Sequence, residues 1–184
     1  MFGTKPVKEQ GRRSDLETVR ERVSAGESMK EIALTCVNFQ ALRGAELLYK
    51  YLEMERDWKP EVFWCYGPTG TGKTRWAMRQ CKGRRWVSMD TLKWFQNYDG
   101  QEDVIFDDFR ANHCSFSFLL RLLDRYPCQV ENKGGSRQFL AKRIFVTTPN
   151  PIPATFGDAE DVTQVVRRVD HVLLFDGVID HPDL

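Results

Sequence analysis

Eight consecutive residues, Gly67-Pro68-Thr69-Gly70-Thr71-Gly72-Lys73-Thr74, carry the spacing G-x-x-x-x-G-K-[ST] of a Walker A loop. The residue types dictate the chemistry. Glycines let successive backbone amides turn inward around a phosphate. Lys73 brings a positive charge to the β- and γ-phosphates, and the Thr74 hydroxyl offers a ligand to Mg²⁺. The helix that follows aims its positive end at the anion. All eight residues are therefore candidates for binding ATP. A triphosphate held this way needs an acid on the metal side. Asp103 to Phe109, DVIFDDF, is an apolar strand ending in two carboxylates. Asp107 is the candidate Mg²⁺-side acid, together with Thr74, and Asp108 the candidate base that polarises the attacking water. No N-K-x-D-like segment is present to read a guanine base, which disfavours GTP.

These residues need a scaffold. VFWCY (Val62 to Tyr66) reads as a buried strand running straight into the loop, and Lys73 to Cys81 as the helix after it. WVSM (Trp86 to Met89), VIF (Val104 to Phe106), RIFVT (Arg143 to Thr147) and HVLLF (His171 to Phe175) read as further strands, and Phe116 to Tyr126 as a helix. Strands alternating with helices predict an α/β P-loop domain with a parallel central sheet. Upstream the pattern is helical. Met1 to Gly11 reads as a flexible lead-in. Ser14 with Glu17 and Ser28 with Glu31 form two capping boxes, and Gly26 ends the first helix. A third helix is expected from about Ala41 to Glu55, with an apolar stripe of Leu42, Ala45, Leu48, Tyr49 and Leu52, stopped by Pro60. The expected division is a linker at 1–11, a helical domain at 12–57 and a P-loop domain at 58–184.

Composition narrows the function classes. The chain is 41% hydrophobic and 29% charged, with a formal net charge of +1, so any contact with nucleic acid must come from a local cluster of charge. Five cysteines have no C-x-x-C pair and read as reduced thiols of an intracellular protein. No apolar run reaches the length of a membrane span. Lys5, Lys8, Arg12 and Arg13 read as a solvated linker more than as a nuclear-import patch. Trp76, Trp86, Trp94, Phe95 and Tyr98 read as core aromatics, not a base-stacking platform.

Three stretches carry a resemblance that covers nearly the whole chain: WFQNYDGQEDVIFDDF, FLLRLLDRYPCQVENKGGSRQFLAKRIFVTTP and VVRRVDHVLLF. Together with the loop they resemble the superfamily 3 helicase domain of replication initiator proteins from circovirus-like single-stranded DNA viruses. The segment EQGRRSDLETVRERVSAGESMKEIA looks like that family's linker and small helical domain. The resemblance implies an AAA+-like ATPase that assembles through its helices into a ring, expected to be a hexamer, and travels 3′ to 5′ on single-stranded DNA in rolling-circle replication. It implies that Lys133, Gly134 and Gly135 form a channel loop gripping the DNA, with Arg137 as a further phosphate contact. It implies that Arg167 or Arg168 reaches a neighbouring subunit's ATP, and that the host nucleus is the place of action. The family's third motif ends in a polar sensor. Here Pro149 stands where Asn is usual, so the sensor falls to Thr148 or to Asn150.

Full-length members carry a nuclease with a His-x-His pair and a Tyr-x-x-Lys nucleophile. His113, His171 and His181 are far apart and no Tyr-x-x-Lys occurs, so this chain is expected to act without nicking chemistry. Two rival readings stand beside the helicase: a non-catalytic ATP-binding partner of a full-length initiator, and a small-molecule P-loop kinase working as a monomer.

Overall fold

A computed structural model describes residues 14–177. The lead-in Met1 to Gly11, the basic residues Lys5, Lys8, Arg12 and Arg13, and His181 lie outside the described residues. The chain divides into two compact units, Met1–Glu53 and Met54–Leu184.

Among the described residues, the first unit consists of three helices: α1 (Ser14–Ser24), α2 (Met29–Thr35) and α3 (Phe39–Leu52). Helix α1 ends in a Schellman motif. Gly26, at φ 79°, donates its amide to the Val23 carbonyl at 3.0 Å, and the Glu27 amide reaches the Arg22 carbonyl at 3.2 Å. Ser28 caps α2 in a complete capping box with Glu31. Helix α3 differs from the expected span. Asn38 accepts a bond from the Gln40 amide, so the helix begins at Phe39, and it ends at Leu52, well before Pro60. Val19, Val23, Ile32, Ala41, Ala45 and Tyr49 form the unit's small core, whereas Leu52, expected in the stripe, is exposed.

The second unit is α/β. Strands β1 (Glu61–Tyr66), β2 (Arg85–Val87), β3 (Asp103–Phe106), β6 (Arg143–Thr148) and β7 (His171–Leu174) form one sheet in the order β2-β3-β6-β1-β7, with every pairing parallel. Between them run α4 (Lys73–Gln80), α5 (Phe116–Leu123), α6 (Ile152–Phe156) and α7 (Thr163–Val166), and the antiparallel hairpin β4 (Gln129–Asn132) to β5 (Gly135–Gln138). The inner strands β1, β3 and β6 are largely buried and read as continuous apolar runs, whereas the edge strand β7 leaves Val172 and Leu174 exposed. Side chains alternate accordingly: Ile105 and Phe145 pack with Ala77 of α4, while Val104, Phe106, Ile144 and Val146 pack with Leu119, Leu122 and Leu123 of α5 on the other face.

Helix α5 stops earlier than its apolar pattern predicts. The guanidinium of Arg56, 1% exposed, donates to the carbonyls of Arg121 at 2.6 Å, Leu122 at 3.0 Å and Tyr126 at 3.0 Å, satisfying the acceptors a helix end leaves open. Burial lowers the pKa of this guanidinium. Arg56 thus belongs to the P-loop unit, although the sequence pattern assigns it to the helical domain.

The five predicted strands all form, with β2 shorter than expected: it ends at Val87 and leaves Met89 exposed. The aromatics mostly serve the core. Trp86 stacks on Phe95 at 4.5 Å between ring centroids, Tyr98 packs edge-on to both, and Trp76 meets Phe63, Phe145 and Phe175. Trp94 departs from that expectation. It is exposed, and the Lys93 amine lies 5.6 Å from its ring centroid. All five thiols are free. Among the described residues, no helix is long and apolar enough to cross a membrane.

Candidate nucleotide-binding site

The sheet order brings the functional strand ends together. β6 lies between β1 and β3, so the Walker A loop after β1, the acids after β3 and the threonines ending β6 meet at the carboxyl edge of the sheet, where open α/β sheets bind their ligands.

The loop is shaped by its glycines. Gly67 takes φ 143°, and a Cβ there would stand 2.0 Å from the Phe175 carbonyl oxygen. Gly70 and Gly72 take φ 87° and 83°, and a Cβ on either would meet nothing within 4 Å. The first glycine is thus demanded by a close approach of backbone, the other two by conformation around an open cradle. Gly72 opens α4 without any side-chain cap, leaving the first-turn amides for an anion. The Lys73 amine donates to the carbonyls of Gly67 at 2.7 Å and Pro68 at 2.6 Å. Burial pushes the amine below the usual lysine range, against the pull of Asp108 and Asp107. Thr71 donates to the Pro68 carbonyl at 2.8 Å. Thr69 lies exposed in the same loop.

Across the cradle, the Thr74 hydroxyl donates to Asp107 Oδ1 at 2.6 Å. The Thr147 hydroxyl donates to the same oxygen at 2.7 Å and accepts from the Asp108 amide at 2.9 Å. Ser88 accepts from the Asp107 amide at 2.9 Å. Asp108 sits at φ 48°, held by that bond and by the Phe109 amide donating to the Thr147 carbonyl at 2.7 Å. Arg110 pairs with the Asp108 carboxylate at 2.8 Å. Among the described residues, no group of three or more His, Cys, Asp or Glu side chains could hold a metal ion. A Mg²⁺ here would depend on nucleotide oxygens besides Thr74 and Asp107, which suits an ion that is normally held by one or two carboxylates and phosphate.

Thr147, Ser88 and Arg110 are absent from the residues that the sequence pattern points to. Only Thr147 had a signal: pairing Phe106 with Val146 sets the next residues, Asp107 and Thr147, side by side. The expected sensors lie elsewhere. The Thr148 hydroxyl is buried and accepts from the Asn150 amide at 3.5 Å, because alternate strand residues face opposite ways. Asn150 is exposed, and its carbonyl accepts from the Trp64 indole at 3.2 Å.

The two arginines also separate. Arg168 donates to Asp124 Oδ2 through Nη2 at 2.6 Å and Nε at 3.0 Å, and to the Gln164 carbonyl at 2.7 Å. Burial would raise the Asp124 carboxyl, but the Arg125 amide and the Arg168 guanidinium outweigh it and hold the group below its ordinary range. Arg167, at the carboxyl end of α7, is exposed.

Away from the nucleotide loop, Lys133 and Gly134 form the turn of the β4–β5 hairpin, with Gly134 at φ 122° and Lys133 exposed. Gly135 is the first residue of β5. Arg137 does not share the tip. It pairs with Asp99 at 2.9 Å and its side chain is only 10% exposed, so in this conformation it holds the hairpin to the body of the domain and offers little surface to a phosphate.

Residues 63–150 match the RNA helicase family. The chain is also similar to replication-associated proteins of goose circovirus (37% identical over 94% of the chain and 60% of the relative), pigeon circovirus (36% over 94% and 56%) and porcine circovirus 2 (40% over 76% and 46%). The chain therefore spans about half to three fifths of the length of these curated relatives.

Proposed function

We propose that this chain, which is similar to the replication-associated proteins of circoviruses and matches the RNA helicase family over residues 63–150, is a superfamily 3 helicase domain that hydrolyses ATP with Mg²⁺ to drive movement along single-stranded DNA. One observation carries the reading: Thr74 of the Walker A helix and Thr147 of β6 both bond Asp107 at the mouth of the glycine cradle.

In this reading the cradle amides and Lys73 bind the phosphates, Thr74 and Asp107 hold the Mg²⁺, and Thr147 fixes the orientation of both acids. Mg²⁺, when bound, would neutralise charge developing on the phosphates. Asp108 takes a proton from the attacking water, its left-handed backbone aiming the carboxylate outward. Arg167 is the arginine offered to a neighbouring subunit, because Arg168 is committed to Asp124. An in-trans arginine requires a ring, expected to be hexameric. The helical unit supports assembly, since Leu34, Val37, Phe39, Leu47 and Tyr51 expose apolar surface of the kind that marks a partner face. The hairpin tip at Lys133 grips the strand by its phosphates. The host nucleus is the proposed place of this action.

The hairpin and the arginines can each be tested. Lys133→Ala should keep basal ATP turnover but lose strand separation on a forked substrate. Unwinding equal to the parent would remove the hairpin from the DNA path. Arg167→Ala should lower turnover by about 10³-fold, the scale of a missing arginine finger, without lowering the melting temperature. Arg168→Ala should instead lower the melting temperature, through loss of the Asp124 pair. The reverse pattern would reassign the finger.

A further inference from the structure

Between Glu61 and Asp90 the chain has six basic residues and no acid, although its net charge is only +1. Lys73 is spent on the nucleotide loop. Arg75, Arg79, Lys82, Arg84 and Arg85 are all exposed. They follow one path, down α4 and into the amino end of β2.

The geometry gathers the lower part of this path. Asp103 Oδ2 accepts from the Lys82 amide at 2.8 Å, and Asp103 stands beside Arg85 in the sheet. Arg143 ties the carboxyl end of α4 to the same place by donating to the Gln80 carbonyl at 2.7 Å. Lys82 and Arg85 therefore lie together at the amino ends of the strands, opposite the nucleotide edge. Arg75 and Arg79, four residues apart, share one face of α4.

The neighbouring acids are already engaged. Asp103 pairs with Arg143 at 2.6 Å, Asp99 with Arg84 and Arg137, and Glu102 with Lys142 at 2.6 Å. Arg75, Arg79, Lys82 and Arg85 form no ion pair among the described residues. A cation in the last turn of a helix offsets its dipole, and one charge on an edge strand discourages aggregation. Those needs account for Arg79 and Arg85 singly. They do not account for a like-charged pair on one helix face, which costs stability, nor for four uncompensated cations together.

We infer that this face of α4 and β2 is a second nucleic-acid contact, which takes the phosphate backbone of duplex DNA. Duplex is favoured over single strand because the aromatics of the stretch are withdrawn: Trp86 is buried on Phe95, and Trp76 packs among Phe63, Phe145 and Phe175. Single-strand grooves combine charge with exposed stacking rings; this surface has the charge alone. It would hold the unopened duplex while the hairpin tip follows one strand. The site is separate from the nucleotide cradle and does not depend on hydrolysis.

Anisotropy of a labelled blunt duplex, titrated without nucleotide over a range of salt, tests the assignment. The triple variant Arg79→Gln, Lys82→Gln, Arg85→Gln should bind at least about 10-fold more weakly. Its slope of log affinity against log salt should fall by about 3, near one for each phosphate that the parent cations neutralise. The single variants should each lower the slope by about 1, which keeps the test open if the triple variant does not fold. Arg20→Gln, Lys30→Gln, Lys50→Gln, which removes the same charge from the helical unit, should leave the slope unchanged. An unchanged slope in the patch variants, an equal fall in the control, or weakening seen with single-stranded DNA alone would overturn the assignment. Failure of the ATPase reading would appear elsewhere, as turnover insensitive to Lys73→Ala with duplex binding intact.

Discussion

Lys73→Ala should reduce ATP turnover by about 10³-fold. The amine lies across the mouth of the loop, 2.7 Å from the Gly67 carbonyl and 2.6 Å from that of Pro68. It is positioned where a triphosphate would place its terminal charge. Replacing it with a methyl group removes the only cation that the loop itself contributes. A preorganised donor removed from a transition state typically costs about 10²–10³-fold in rate, and a full positive charge at the transferring phosphate belongs at the upper end of that range. The fold should survive, because the carbonyls left behind border an open cradle and can turn to water. Turnover by steady-state phosphate release, with the melting temperature of the same sample, separates the two effects. Wild-type turnover would show that the loop is not the seat of hydrolysis. Loss of turnover would also set aside the reading of a non-catalytic partner.

Gly67→Ala should have the largest effect on stability. The position combines two constraints. Its φ of 143° is open to glycine alone in practice, and the added Cβ would lie 2.0 Å from the Phe175 oxygen and 2.9 Å from the Phe175 carbon. The obstacle is backbone, and that backbone is fixed: the Phe175 amide donates to the Tyr66 carbonyl at 2.8 Å, just beyond the paired residues of β1 and β7. Relief requires β7 to move off β1. Strain and overpacking together amount to about 3–5 kcal/mol, or a fall on the order of 10 °C in melting temperature. Gly70→Ala is the control. Its Cβ would meet nothing within 4 Å, so only the backbone strain of about 1–2 kcal/mol remains. Equal melting of the two variants would show that the clash is relieved without disturbing the sheet.

Local pattern carried much of this molecule. The Walker A loop is legible because its eight residues act within one turn, and the fit of glycine, lysine and threonine to a phosphate does not depend on the rest of the chain. The Ser28 capping box is local in the same way. The alternation of strand and helix from Val62 onward specifies the fold class, since the buried strands β1, β3 and β6 are apolar enough to announce themselves. The hairpin was legible only as a turn. Its strands are polar and short, QVEN and GSRQ, and they lack the apolar run that marks β3 or β6.

What the chain could not state locally is who meets whom. Thr147 reaches Asp107 across 40 positions, and Arg168 reaches Asp124 across 44. Arg137 reaches Asp99 across 38. Each of those pairings bears on a candidate role: the hydroxyl bonded to Asp107 from β6 is that of Thr147, Arg167 is exposed while Arg168 is paired, and at the hairpin Lys133 is exposed while Arg137 is paired. Residue type and spacing by themselves determined which loop is the candidate for a phosphate, because that pattern is complete within a few residues. Which side chains surround the loop was decided only in three dimensions, where the placement of β6 between β1 and β3 and the burial of ion pairs choose one partner among many of the same charge.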